Sequence, residues 1–296
     1  MTTQTPLRFA VHVASPIPCV DIVNNIDKGH TWSPISCTLV YSDTEAVLVD
    51  TPITIDQTKE LIAWIEKIAP NRKLSYIYIT HGHADHFLGL SQLIQHFPEA
   101  VALATKATVQ HIEQQLDEEY FSSTWGSFFP GGQIYEPVTR PKSLPDSNEF
   151  LLQGRWLFKA VEVGHSDTYD STVLWVPDLK LAVCGDVIYG DVHQMLYEAN
   201  TKLKREEWIH AVDQVESLGP IHVVPGHKRP EEVDGVWHIS LTKKYLEDWG
   251  ELLRNSPKSP EELYAEMIKL YPNRFNRMPL LWNAGAAFQV PEQDRA

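Results

Sequence analysis

Tyr76-Ile77-Tyr78-Ile79-Thr80-His81-Gly82-His83-Ala84-Asp85-His86 is the most informative stretch of this sequence. Its first half is apolar, β-branched and aromatic, which predicts a β-strand. Three histidines and an aspartate follow within six residues, separated only by Gly82 and Ala84. Small spacers let the backbone turn tightly, so that these side chains can converge on one point. Because imidazole and carboxylate groups bind zinc and similar divalent metals, the stretch predicts a metal site.

The composition is that of a globular protein with an acidic surface. The chain has 296 residues, of which 43% are hydrophobic, enough for one large or two ordinary domains. Its 25 Lys and Arg against 39 Asp and Glu give a net charge of −14. Nucleic acids and anionic membranes require a basic surface, so we expect neither as a partner and expect a small-molecule substrate instead.

The cysteines and the N-terminus bear on the cellular compartment. Cys19, Cys37 and Cys184 are too few and too far apart for a disulfide framework. The segment Met1 to Pro6 lacks the basic and apolar regions of a signal peptide, and no apolar run approaches the ~20 residues that span a bilayer. We therefore expect reduced thiols and a cytoplasmic protein.

Predicted strands and helices alternate on both sides of the histidine motif. In the first part we predict strands at 7–14, 35–41, 46–49, 76–80 and 101–104, helices at 56–69, 88–97 and 107–120, and a loop at 16–34. Residues 121–148 mix aromatic side chains with Gly and Pro, which predicts a loop that either packs on its own body or covers a pocket. In the second part we predict strands at 150–152, 156–163, 172–176, 181–184 and 221–224, and helices at 205–218 and from Ser259-Pro260 to about 270.

Three further ligand-type residues follow predicted strands in the second part. They are His165, Asp186 and His227, and each comes directly after a glycine. A glycine allows the turn that brings the next side chain over the sheet edge. Each residue alone is more typical of a capping or surface position. The repeated pattern, together with the first motif, favours one shared metal centre.

The order of these residues resembles the ligand set of the metallo-β-lactamase superfamily, over about residues 35–230. The resemblance implies an α/β fold, a four-layer αββα sandwich with two facing sheets and helices outside. We expect residues 1–237 to form this catalytic domain and residues 238–296 to be a helical C-terminal extension of it. The implied cofactors are two Zn²⁺ ions per chain. His81, His83 and His165 would hold the first ion, Asp85, His86 and His227 the second, and Asp186 would bridge them.

The resemblance also implies the chemistry. Two zinc ions lower the pKa of a shared water, so that hydroxide can attack a substrate carbonyl near neutral pH. Asp85 would orient this nucleophile or pass on its proton. Antibiotic-hydrolysing zinc lactamases commonly have a cysteine where this chain has Asp186, so the sequence is more similar to the lactonase, glyoxalase and general hydrolase branches. Lactonases of the fold have a tyrosine where Tyr189 stands, and a phenol there could assist catalysis; a packing role fits this residue equally well.

The expected reaction is the opening of a small lactam or lactone, for detoxification or catabolism. Isothiocyanate or thioester hydrolysis is an alternative, and a single-iron persulfide dioxygenase is an alternative from another reaction class. A metal-binding scaffold without activity is a minor alternative. His193, Trp125 and Phe128 are candidate substrate-binding residues, because His193 lies near Asp186 in sequence and the two aromatics lie in the 121–148 segment. The helical C-terminus is a plausible homodimer surface.

Overall fold

A computed structural model describes residues 6–24 and 26–295. Its strands are β1 (Arg8–Ala14), β2 (Ile17–Asp21), β3 (Ile26–Trp32), β4 (Ile35–Tyr41), β5 (Glu45–Val49), β6 (Lys73–Tyr78), β7 (Val101–Ala104), β8 (Lys142–Ser143), β9 (Glu149–Leu152), β10 (Trp156–Gly164), β11 (Ser171–Val176), β12 (Leu181–Val183) and β13 (His222–Val224). Its α-helices are α1 (Ile55–Ile68), α2 (Leu90–His96), α3 (Lys106–Gln115), α4 (Glu118–Ser123), α5 (Trp125–Phe128), α6 (Lys202–Ser217), α7 (Trp237–Arg254), α8 (Pro260–Leu270), α9 (Met278–Gln289) and α10 (Glu292–Arg295). Residues 1–5, on which most of the signal-peptide prediction rests, lie outside the described residues.

The strands form two main sheets. The first has six strands in the order β1-β4-β5-β6-β7-β8, and the second has five in the order β13-β12-β11-β10-β9. The pairs from β5 to β8 are parallel, and so is β12 with β13. Neighbouring parallel strands end at the same edge of their sheet, so the residues after them meet there. β2 and β3 form a separate antiparallel hairpin.

A shared apolar core holds the two sheets face to face. It includes Val49 and Tyr78 from the first sheet and Phe158, Val183 and Val224 from the second, all buried. A polar tie lies at one end of this core, where the Tyr78 hydroxyl is 2.7 Å from Thr172 Oγ1. The backbone N–H of Thr172 also donates to the carbonyl of Thr80 at 3.0 Å. The end of β6 is thereby joined to the start of β11.

Helices cover both outer faces and complete the four predicted layers. Helices α1, α2, α3 and α5 pack on the first sheet, and α6, α7, α8 and α9 on the second. The cap predictions at Thr105 and Ser259 are confirmed, since each side chain accepts a hydrogen bond from the backbone three residues on. The helices beyond residue 237 share a core with α6, as an extension of the same domain would. Among the described residues, no helix has both the length and the apolar character to cross a membrane.

Two predictions of local structure were wrong. The stretch 16–34, predicted as a loop, contains the β2–β3 hairpin; Pro18 is tolerated because this two-stranded ribbon lies outside the main sheets. The helix predicted to end at residue 120 stops at Gln115, because Asp117 caps a new helix by accepting from Tyr120 N. The segment 121–148 consequently begins with the rest of α4 and with α5 rather than an open loop.

Phe158 is one of the largest fully buried side chains in the core between the sheets. It is fully buried between the sheets and stacks on Phe150 at 5.1 Å. We expect Phe158→Ala to lower the free energy of unfolding by about 3–5 kcal/mol, because the cavity left cannot collapse. Leu203→Ala, at a residue 65% exposed, is the matched control and should change it by less than about 0.5 kcal/mol. Urea unfolding followed by circular dichroism measures both, and equal losses would contradict the assignment of this core.

Candidate metal centre

The histidine motif lies at the sandwich edge where β6, β12 and β13 end. The predicted strand at 76–80 is β6, and it ends at Tyr78, so that Thr80 and His81 start the following loop. Asp186 follows β12 and His227 follows β13, and these strands are parallel neighbours. The topology therefore brings residues from both sheets to one place.

Four of the predicted ligands form one compact group. His86 Nε2 lies 3.1 Å from Asp186 Oδ1, and His227 Nε2 lies 3.2 Å from Asp186 Oδ2. The two Nε2 atoms are 3.3 Å apart. Asp85 Oδ2 is 3.5 Å from His227 Nε2 and 3.8 Å from His86 Nε2. Asp85, His86 and His227 could together hold one metal ion.

A second group lies beside the first and is linked to it through His81. His81, His83 and Asp167 have ligand atoms within 4.8 Å of one another, and so do His81, His86 and Asp186. His83 Nδ1 is 2.8 Å from Asp167 Oδ2, and His81 Nε2 is 3.8 Å from the same oxygen. Asp186 thus stands between two sets of ligands, as the resemblance implies for a bridging residue.

His165 is the predicted ligand that the structure does not bring to this centre. Among the described residues it belongs to none of the groups that could hold a metal. It lines a separate surface cavity with Leu203, Glu206 and His210. The physical reason lies in the end of β10, where the pairing with β11 shifts register between Glu162 and Gly164, and Gly164 has a φ of 83°. The structure therefore does not place His165 in the first ligand group.

Buried hydrogen bonds hold the histidine rings in orientation. His86 Nδ1 donates to Asp50 Oδ2 at 3.0 Å, and His227 Nδ1 donates to the Pro34 carbonyl at 2.8 Å. His81 Nδ1 is 3.0 Å from Thr80 Oγ1, which itself donates to Asp50 Oδ2. When Nδ1 carries the proton, Nε2 is left with the lone pair that binds a metal.

Two glycines permit the close approach of Asp186. Gly185 has a φ of 48°, and a Cβ there would lie 2.4 Å from Thr80 Oγ1. A Cβ on Gly226 would lie 2.2 Å from Asp186 Oδ1 and 2.5 Å from the Gly185 backbone. Gly185 therefore permits the turn that the sequence predicts, whereas Gly226 permits a close approach, because a larger residue there would displace the Asp186 carboxylate.

The electrostatics of the group are those of a cation site. Burial lowers the pKa of His227, but Asp186 and Asp85 outweigh it and raise the pKa to about 10. Burial raises the pKa of Asp85, yet His86 and His227 hold it well below its usual value. Histidines that keep a proton between ionised carboxylates mark a place where a divalent ion can replace those protons.

Three buried polar atoms of this cluster have no hydrogen-bond partner among the described residues and point to the same conclusion. They are His81 Nε2, Asp167 Oδ2 and Asp186 Oδ1. An unpaired buried polar atom is costly, so three of them in one cluster indicate a cation site. The imidazole and carboxylate donors suit zinc and other divalent ions of the first transition row. The residues therefore fit the metals that the resemblance implies.

A cavity of about 350 Å³ opens onto this centre. The predicted substrate-binding residues Trp125, Phe128 and His193 all line it, and Trp282 completes its aromatic wall. The 121–148 segment was predicted either to pack on its own body or to cover a pocket. Trp125 and Phe128 do both in part, because they are buried in the core and also face the cavity. Tyr189 lines the cavity as well, and its hydroxyl donates to Asp186 Oδ2 at 2.5 Å.

The sequence did not single out Trp32, Asp50, Asp167 or Glu198. The Trp32 indole N–H donates to Asp85 Oδ2 at 2.8 Å, and Glu198 Oε1 is 3.1 Å from His83 Nε2. Asp50 directly follows the predicted strand at 46–49. A carboxylate at a strand end is the same signal that identified Asp186, so the sequence could have marked Asp50 as a candidate. Asp167 shares a turn with His165. Trp32 and Glu198 are distant from the motif, and no local pattern marks them.

Comparisons with known proteins agree with this architecture. The chain matches the family model of the metallo-beta-lactamase superfamily over residues 30–227. Similar solved structures include TMB-1, at 19% identity and a TM-score of 0.56 over 82% of this chain and 98% of that one. A metallo-beta-lactamase from Pontibacter korlensis has 17% identity and a TM-score of 0.56, over 84% and 97% of the two chains. FIM-1 from Pseudomonas aeruginosa, in its mono-zinc form, has 19% identity and a TM-score of 0.54, over 83% and 96%.

At these identities the structural likeness establishes the fold alone, and it confirms the predicted fold class. No curated protein matches the sequence.

Asp50→Asn tests the role of the buried hydrogen bonds. The amide nearly preserves the shape but replaces one of the two acceptor oxygens with an NH2 donor and removes the negative charge. The three donors that Asp50 accepts from, Thr80 N, Thr80 Oγ1 and His86 Nδ1, can then no longer all be satisfied. We expect zinc affinity to fall about 10–100-fold, as is usual when a partner of a ligating histidine is removed. Competition with a chromophoric chelator measures this. Asp56→Asn, at an exposed position of α1, is the control; an unchanged affinity in Asp50→Asn would contradict this role.

Proposed function

Because the chain belongs to the metallo-beta-lactamase superfamily, we propose that it is a dinuclear zinc hydrolase that opens a small, uncharged lactam or lactone. The family together with the His and Asp groups indicates a metal-dependent hydrolase. Zinc, the number of ions and the substrate are the finer parts of the proposal. The observation that carries it is a cavity with two ligand groups on its floor and aromatic side chains around them.

The two ligand groups are suited to a pair of ions. Asp85, His86 and His227 would hold one, His81 and His83 the other, and Asp186 lies between them. When bound, such ions polarise a substrate carbonyl and supply a nucleophile from water near neutral pH. The protein keeps its ligand atoms oriented by hydrogen bonds and keeps the centre buried, so little reorganisation is needed during the reaction.

Asp85 and Tyr189 are the candidate catalytic residues. The Asp85 carboxylate is held by the Trp32 indole N–H and lines the cavity, where it can accept the proton of the nucleophile. Burial, and then Asp186, raises the pKa of Tyr189 well above its usual value, so its hydroxyl remains a hydrogen-bond donor. That hydroxyl donates its one hydrogen to Asp186, and by turning it could donate instead to the substrate oxygen that becomes negative.

The charge of the cavity wall favours an uncharged substrate. Among the lining residues in the described part of the chain there is no Lys or Arg. Asp85, Asp167, Asp186 and Glu198 line its polar side. An anionic substrate would therefore find only the metals to balance its charge, whereas an apolar ring can pack on the aromatic wall. This supports a neutral lactam or lactone over a carboxylate-bearing thioester.

The compartment, the physiological role and the partners complete the proposal. All three cysteines are buried and unpaired, which supports a reducing compartment such as the cytoplasm. An aromatic-walled cavity for neutral rings suits detoxification or catabolism of foreign compounds. We retain the homodimer as a proposal, and on the net charge of −14 we propose no nucleic-acid or membrane partner.

Two alternative functions, isothiocyanate hydrolysis and single-iron persulfide dioxygenation, are each favoured by one observation. Isothiocyanates are neutral and apolar, so the same cavity would accept them. Two histidines and a carboxylate meet at His81, His83 and Asp167, and this ligand set is also typical of non-haem iron oxygenases. The other ligand group, formed by Asp85, His86 and His227, has two histidines of its own. It supports the dinuclear hydrolase over a single-iron dioxygenase.

A substrate panel separates these functions. It contains neutral aryl lactones and lactams, the same rings bearing a carboxylate, a glutathione thioester, an isothiocyanate and a persulfide. We expect kcat/KM for the neutral rings to exceed that of their carboxylate analogues by at least about tenfold, or about 1.4 kcal/mol. Chelator treatment should abolish hydrolysis and added Zn²⁺ restore it. Preference for the anionic rings would contradict the charge argument, and sulfite formation with one iron per chain would overturn the hydrolase.

His193 offers a pH-independent contact for the substrate. Its Nδ1 is 2.9 Å from the Tyr245 hydroxyl, and its Nε2 lines the cavity without a partner among the described residues. Burial, followed by the charges of Arg274 and Arg277, lowers its pKa to about 3. Because that value lies below the working range, the imidazole is neutral from pH 5 to pH 9.

We therefore expect His193→Gln to raise KM about 3–30-fold, equivalent to the ~1–2 kcal/mol of a lost hydrogen bond, without shifting the pH profile. Steady-state kinetics between pH 5 and pH 9 measure both quantities. Ser240→Ala, at an exposed position of α7, serves as the control. Loss of the acidic limb of the profile in His193→Gln would contradict a neutral role.

A further inference from the structure

The third ligand of the first metal position is where this chain departs from the expected pattern. Two ligands, His81 and His83, are in place, but His165 turns to a surface cavity bordered by α6. The turn after β10 brings Asp167 to the centre instead. Asp167 is fully buried and lines the main cavity.

We propose that Asp167, not His165, is the third ligand of the first metal. Its Oδ1 accepts a hydrogen bond from Ser166 Oγ at 2.9 Å, whereas Oδ2 has no hydrogen-bond partner in the part of the chain that the structure describes. Oδ2 is nevertheless 2.8 Å from His83 Nδ1, which means that the two atoms lie side by side without hydrogen-bond geometry. His81 Nε2 is likewise unpartnered and faces the same oxygen at 3.8 Å. Three ligand atoms that lie within 4.8 Å of one another without hydrogen-bonding each other are arranged for a shared cation.

Glu198 is the positioning residue of this site. Its Oε1 is 3.1 Å from His83 Nε2, and its Oε2 accepts from Thr168 Oγ1 at 2.7 Å. A proton on Nε2, donated to Glu198, leaves Nδ1 of His83 with the lone pair that faces Asp167. Thr168 directly follows Asp167, so the same turn supplies the ligand and anchors the residue that orients its neighbour.

The presence of Asp167 in place of His165 as a ligand alters the charge of the centre. With Asp167 the ligands include three carboxylates, Asp85, Asp167 and Asp186, where the expected pattern has two. Oxygen donors suit harder ions, so the first position should bind Mn²⁺ or Fe²⁺ better relative to Zn²⁺ than three imidazoles would. This inference deepens the proposed function and rests on it for the presence of metal.

Metal content tests the assignment independently of hydrolysis. Full-length wild type, Asp167→Ala, Asp167→Asn and His165→Ala are loaded with Zn²⁺, dialysed and measured by mass spectrometry and by chelator competition. We expect Asp167→Ala to hold one ion fewer than wild type, or to bind that ion at least ~100-fold more weakly. Loss of a residue that only hydrogen-bonds a ligand lowers metal affinity by about 10–100-fold, so a larger loss indicates a ligand. His165→Ala should retain the wild-type content. The absorption spectrum of the Co²⁺ form should change in Asp167→Ala and not in His165→Ala.

The opposite pattern would overturn the proposal: metal lost from His165→Ala, or wild-type content in Asp167→Ala and Asp167→Asn. Thermal unfolding of the metal-free proteins checks that Asp167→Ala folds, and the nearly isosteric Asp167→Asn replaces it if it does not. Glu198→Ala should weaken the first ion about 10–100-fold, while Glu198→Gln, which retains an acceptor oxygen, should restore most of the affinity. If metal is lost as expected but no lactam or lactone is hydrolysed, the proposed function fails and the ligand assignment stands.

Discussion

The buried carboxylate of Asp50 orients both ligand groups of the metal centre. It accepts hydrogen bonds from the backbone and the hydroxyl of Thr80 and from His86 Nδ1. Through Thr80 it also holds His81. Asp50 can reach all of these atoms because β5 and β6 are parallel neighbours that end at one edge. One residue at a strand end therefore sets the orientation of two of the four histidines, His81 and His86, with one in each ligand group.

Neither sheet carries a complete centre. The first supplies the histidine motif, and the second supplies Asp186 and His227 from the ends of β12 and β13. The apolar core between the sheets and the Tyr78–Thr172 contact bring the two halves together. Metal binding is therefore coupled to the assembly of the sandwich, because ligands from both sheets must be in place before an ion can be held.

The cavity is divided into two chemical regions. Its floor is acidic and requires cations, whereas its wall is aromatic, with Trp32 in edge and tilted contacts with Trp125 and Phe128. Trp32 belongs to both regions, since its ring lies in the wall and its N–H donates to Asp85. This arrangement gives a neutral ring an apolar surface beside a polarising centre, which is the physical basis of the proposed selectivity.

The sequence by itself determined the fold class, most strands and helices, the Thr105 and Ser259 caps, and six of the seven predicted ligands now found together. The strands, helices and caps follow from local periodicity and capping signals, and the ligands from the spacing of histidines, aspartates and glycines. The fold class follows from the resemblance of that ligand order to the superfamily. The sequence could not determine the β2–β3 hairpin or partners such as Trp32 and Glu198, because their contacts join residues far apart in the chain. Nor could it decide between His165 and Asp167. Both lie in one turn, and only the register shift beside Gly164 and the packing of that turn against His83 and Glu198 direct Asp167 inward and His165 outward.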